Sequence, residues 1–127
     1  MKELALHYHD EGRNCSQSVL RAAGAYFGFE ITDRDMDMLK VLNAGFGLGM
    51  VCAVLLAGIM AFGLVADERA ARRMRLAFIS EFTDIFGSAD CAALTRGRGS
   101  CAEIIGGAAD MVQRIIEKER EYNSEPI

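Results

Sequence analysis

The sequence predicts an all-α fold: a compact single-domain bundle of five to seven helices, spanning 1–127, around a central apolar helix. Three observations predict it. The chain holds one proline and few runs of strand-forming residues. Apolar residues recur at helical spacing in several long segments. Capping residues stand just ahead of those segments and glycines just behind them. With 127 residues and 51% hydrophobic content, the chain is long enough to bury a core without disulfide staples. The net charge of −4, with acids and bases interspersed, argues against a nucleic-acid partner.

The elements follow in order. Lys2 to His9 reads as a short helix that stops near Gly12. Asn14 is a good N-cap, with Gln17 at the capping-box position. The helix it opens runs from Cys15 to about Tyr26, with Val19, Leu20, Ala23 and Phe27 on one face and Gly28 at its end. Thr32 caps the next helix, where Asp33 and Asp35 suit the dipole and Met36, Leu39 and Leu42 form the apolar side. A glycine segment, Gly45-Phe46-Gly47-Leu48-Gly49, separates it from the central helix, expected from about Met50 to Val65. No strand precedes those glycines, so they do not form a nucleotide-binding motif.

Asp67 opens a long helix to about Phe86, with an expected stripe of Leu76, Ile79, Phe82, Ile85 and Phe86. Arg72, Arg73 and Arg75 fall on its wet side. Gly87 ends it, and Ser88 is the expected cap of a short helix containing Cys91. Gly97-Arg98-Gly99 reads as a loop. Ser100 and Glu103 form a second expected capping box around Cys101. The last helix carries Ile104, Ile105, Ala108, Met111, Val112, Ile115 and Ile116, and the tail after Tyr122 is expected to fray. Small residues on apolar faces permit close packing within the chain or in a homodimer.

The uncharged stretch from Val41 to Ala66 is long enough to cross a bilayer, but its glycines shorten the helical part below a span and no Trp or Tyr flanks it. A buried central helix is the preferred reading. The charged, amphipathic N-terminus lacks a signal-peptide pattern, which makes the cytoplasm the expected location. In that compartment thiols stay reduced, so two structural disulfides are not expected.

The chemistry-bearing candidates are the four cysteines, Cys15, Cys52, Cys91 and Cys101. The intervening stretches (16–51, 53–90 and 92–100) contain no CxxC pattern, so spacing alone is a weak signal. Their local setting says more. Each is expected in the first turn of a helix, where free backbone N–H groups and the dipole stabilise a thiolate. Thiolates attack disulfides and ligate metals; buried thiols can also be inert core residues. His7 and His9 diverge on a short helix; a metal role is open to them, and solvent-facing or capping positions are the preferred reading. Arg96 and Arg98, between the last two cysteines, are candidates for stabilising thiolates or a reduced cluster, or simply belong to a solvated loop. The seven methionines read as core filler.

These residues resemble a known family, the redox-active proteins named for the pattern C_GCAxxG_C_C. Glu11-Gly12-Arg13-Asn14-Cys15-Ser16-Gln17-Ser18-Val19-Leu20 is similar to its "eGyNCaqaVl" opening. Phe46-Gly47-Leu48-Gly49-Met50 resembles "FGgGm", and Met60-Ala61-Phe62-Gly63-Leu64 resembles the "lmalGl" trailing the motif cysteine. Phe86-Gly87-Ser88-Ala89-Asp90-Cys91 and Cys101 supply the remaining cysteines in order. The resemblance runs from about residue 8 to residue 116. One departure is visible: the CGAxxG motif reads Cys52-Ala53-Val54-Leu55-Leu56-Ala57, with alanine in both glycine places. Alanine keeps close packing open but adds a methyl where the pattern has none.

The resemblance implies redox activity, in anaerobic bacterial and archaeal settings and often beside transporter genes. The first expectation is electron transfer through an iron–sulfur cluster with all four cysteines as ligands. The second is a metal-free thiol–disulfide oxidoreductase or redox sensor, with Cys91 and Cys101 as the exchanging pair. The third is a structural zinc protein or transporter-associated adaptor. The partner is then a redox protein or a transporter-associated system. No CxxCH occurs, so covalent haem is not expected.

Overall fold

The computed structural model describes residues 1–97 and 100–124. Arg98 and Gly99 of the expected loop, and residues 125–127 of the tail, lie outside the described residues. Seven α-helices are present among the described residues: α1 (Lys2–Asp10), α2 (Cys15–Phe27), α3 (Asp33–Leu39), α4 (Ala53–Val65), α5 (Glu68–Phe86), α6 (Cys91–Thr95) and α7 (Ala102–Ser124). The all-α expectation holds.

Helices α4 and α7 touch each other, and both touch α2 and α5; α1 lies across α2 and α7. The contacts are dry. Val19, Leu20 and Ala23 of α2 meet Val54, Ala57, Ala61 and Phe62 of α4, and Ile105, Ala108, Val112 and Ile116 of α7 in one cluster. Gly58 lets α4 and α5 approach closely, since a Cβ there would lie 2.4 Å from Phe78 Cε2. Phe62, Phe78, Phe82 and Phe86 continue as a chain of edge-on and tilted rings, with centroids 5.6, 6.1 and 4.9 Å apart. No helix among the described residues is long and apolar enough to cross a membrane.

Three expectations need correction. The stripe of α5 is Ala70, Met74, Phe78 and Phe82, spaced every four residues, whereas Leu76 and Ile85 are 71% and 60% exposed. The central helix starts at Ala53 rather than Met50. Its C-terminal half is not enclosed on every side, because Met60 and Leu64 reach solvent.

The segment before α4 departs furthest from a helix. Ala44, Gly45, Phe46 and Gly47 all have positive φ, at 58°, 57°, 65° and 78°. Four consecutive left-handed residues, two of them carrying a Cβ, are costly at roughly 1–2 kcal/mol for each L-residue. Met50 to Cys52 then run extended. Cys52 N donates to Ala89 O, Cys91 N donates to Met50 O, and Val51 and Asp90 form an isolated antiparallel bridge.

Candidate functional site: a four-cysteine cavity

Each cysteine is placed by a helix start. Cys15 is the first residue of α2, behind Asn14. The Asn14 side chain accepts from Gln17 N, and Gln17 Oε1 accepts from Asn14 N, which completes the capping box. Asn14 does more than cap. Its Nδ2 donates to Leu39 O and Lys40 O at 3.0 and 3.3 Å, while Ser16 Oγ donates to Asn14 Oδ1 and Gln17 Nε2 donates to Met36 O. The start of α2 therefore holds the end of α3, from which the chain leaves for the left-handed turn and Cys52.

Cys52 is the N-cap of α4. Cys91 opens α6, and its N-cap is Asp90 rather than Ser88; Ser88 Oγ instead accepts from Asp90 N. The carbonyl of Cys101 accepts from Ile105 N, the first turn of α7, and Ser100 Oγ accepts from Ala102 N. The backbone bridge joins the Cys52 and Cys91 segments. Gly45 closes over them, since a Cβ there would lie 2.3 Å from Met50 N and 2.9 Å from Cys91 Cβ.

All four cysteines line one cavity of about 290 Å³, together with His9, Asn14, Thr95 and an apolar wall that includes Ala53, Val54, Leu94 and Ile104. Ala53 stands where the motif has glycine, so its methyl belongs to that wall. All four thiols are free. Among the described residues, no lysine, arginine or carboxylate lines the cavity. Arg96 is exposed and lies outside its lining. Among the described residues, no group of three or more His, Cys, Asp or Glu side chains is placed to hold a metal ion.

At Cys15, Cys52 and Cys91 the expectation of stabilised thiolates is overturned by burial. Desolvation pushes the Cys15 thiol up to about 12, the other three cysteines add to the rise, and the Ser16 N–H only partly offsets it. Burial also raises Cys52 against the lowering effect of Val54 and Leu55 N–H groups. Cys91 is raised by burial and then by Cys101. The helix-start donors expected from the sequence are present at Cys15 and Cys52, but removal from water outweighs them.

Sequence reasoning weighs a metal role for His9 but prefers a solvent-facing or capping one. His9 lines the cavity, half-buried, with Nδ1 3.2 Å from Arg13 O. Exposed His7, by contrast, pairs with Glu11. The signal available was the short gap from His9 to Cys15, bridged by a glycine. Arg72, Arg73 and Arg75 are exposed as expected, with Arg72 paired to Glu68 and Arg73 to Glu119.

No curated protein and no solved structure matches the chain. A family model described as "Putative redox-active protein (C_GCAxxG_C_C)" matches residues 13–115, a span that contains all four cysteines and the helix starts that carry them. The chain belongs to the C_GCAxxG_C_C family.

Proposed function

We propose that the protein is an electron carrier whose four cysteines hold an iron–sulfur cluster. The observation that carries this reading is the convergence of Cys15, Cys52, Cys91 and Cys101, from four helix starts, on one cavity of about 290 Å³. Four cysteine sulfurs are the donor set such clusters take, and when bound the cluster supplies one-electron redox chemistry.

The chain's own residues supply the rest. Burial and mutual repulsion keep thiols protonated in a cavity with no cationic wall among the described residues. A positive group entering the cavity reverses that balance, so loading releases protons. Buried Leu94, Val54 and Ile104 give the sulfurs an apolar wall. Asn14 holds the α2 start and the α3 end together, fixing Cys15 against the segment that leads to Cys52. The raised Cys91 thiol also weighs against metal-free exchange, because an attacking cysteine works as a thiolate.

The test is anaerobic purification and reconstitution with ferrous iron and sulfide, followed by visible absorption and iron and sulfide analysis. Charge-transfer bands with matching iron and sulfide are expected, and Cys15→Ser or Cys101→Ser should reduce both. Unchanged metal content in both variants would remove the four-cysteine site. A colourless, metal-free protein with reversibly oxidised thiols would point to exchange at Cys91 and Cys101, and zinc without a redox wave to a structural site. The redox partner, whether an electron-transfer protein or a transporter-associated system, belongs to the same proposal.

A further inference from the structure

The cavity contains one further donor atom of a different kind. We infer that His9 is a nitrogen ligand of this site, binding through Nε2 to the group the cysteines hold; the inference rests on the cluster reading above.

The tautomer follows from the geometry. His9 Nδ1 lies 3.2 Å from Arg13 O. A carbonyl oxygen only accepts, so Nδ1 carries the ring proton, and the neutral imidazole keeps its lone pair on Nε2. Ligating histidines are commonly oriented this way, with the far ring nitrogen donating to a carbonyl. The bond is built into the turn that delivers Cys15. Gly12, at φ 100°, donates its N–H to His9 O at 3.0 Å, and Arg13 N donates to Tyr8 O at 3.2 Å. One turn therefore fixes both the imidazole and the first thiol.

Of the other polar side chains at the wall, which are Asn14, Asn43 and Thr95, two are already engaged, and Asn43 offers an amide rather than an imidazole. The Asn14 amide is spent on Leu39 O, Lys40 O, Ser16 Oγ and Gln17 N. Thr95 Oγ1 donates to Cys91 O at 2.8 Å. Among the described residues, Nε2 of His9 makes no hydrogen bond.

The cavity thus offers four thiols and one imidazole. With His9 in one of four ligand positions, the four-thiolate set of the cluster reading is revised to three cysteines, leaving one thiol free. Replacing thiolate by imidazole raises a cluster's reduction potential.

The experiment uses the full chain, reconstituted anaerobically with ferrous iron and sulfide, with ¹⁵N-histidine incorporated. Pulsed EPR of the reduced protein should show a histidine nitrogen coupling that persists in His7→Ala and disappears in His9→Ala. Mass spectrometry after alkylation of the loaded protein should find one modified cysteine in the wild type and none in His9→Ala, whose potential should fall. Because the coupling is read on the wild type, the test stands even where His9→Ala folds poorly. A loaded wild type with no nitrogen coupling and no free thiol overturns the His9 assignment and leaves the cluster in place. A wild type that takes up no iron or sulfide overturns both.

Discussion

At the scale of single residues, Asn14 and Gly45 hold the cavity in shape by different means. Asn14 is an N-cap that also satisfies the last carbonyls of a neighbouring helix. Losing a cap costs about 1 kcal/mol, and each further buried partner left unpaired adds about as much again. Asn14→Ala should therefore destabilise the fold by about 2–3 kcal/mol in urea denaturation. Asn14→Asp, which keeps the capping oxygen but presents an acceptor to Leu39 O, should fall between the two. Equal stability of Asn14→Asp and wild type would mean the α3 contact contributes nothing. Gly45 works by absence. A methyl at its left-handed position has no room between Met50 N and Cys91 Cβ. Gly45→Ala should lower the denaturation midpoint and, for the proposed cluster, iron retention after reconstitution, whereas Gly47→Ala, strained by the same left-handed backbone but with open space around its Cβ, should lower the midpoint less and keep more of the iron. Asn14's capping role was legible from the pattern of Asn14 and Gln17. Its reach to Leu39 was not, because capping rules describe neighbours along one helix and this contact joins two.

At the scale of elements, the sequence identified the helices better than the faces they bury. The α7 stripe was legible because branched residues recur along several turns and their burial follows. In α5 two apolar registers compete. One contains Leu76 and Ile85, the other Met74, Phe78 and Phe82. Periodicity weighs both alike; packing selects the register whose Phe78 ring meets Gly58 of α4. Phe78→Ala should cost about 3–5 kcal/mol, the range for emptying a buried aromatic site. Leu76→Asp, on an exposed position, should change stability by less than about 0.5 kcal/mol. Comparable losses in the two variants would show that the observed register is wrong. The α4 start was misplaced for a related reason: Met50 and Val51 are apolar enough to continue a helix, but the bridge to Ala89–Cys91 claims their backbone. That pairing is what brings Cys52 to Cys91, and no local pattern announces it.

At the scale of the whole molecule, the grouping of the cysteines was legible from their helix-start positions and the family pattern, while their protonation was not. Helix starts favour thiolates; burial in a common cavity disfavours them, and the cavity exists only once four helices have met. The consequence is a pH dependence of a definite sign. Below pH 9 the Cys15 thiol is protonated in both the unfolded chain and the folded protein, so the stability this thiol confers is fully present. Above pH 9 the unfolded chain releases its proton while the folded protein holds it until about 12. The native state then binds more protons than the unfolded state, so stability falls as pH rises through that window. Raised Cys52 and Cys91 add in the same direction. Thermal melts of the reduced, metal-free protein should decline between pH 9 and 12, and Cys15→Ala should decline less steeply. The subtraction removes the lysine and tyrosine titrations common to both proteins, and the volume lost with the side chain appears as an offset that does not vary with pH. Parallel curves would mean that the Cys15 thiol is no better shielded in the folded protein than in the unfolded chain.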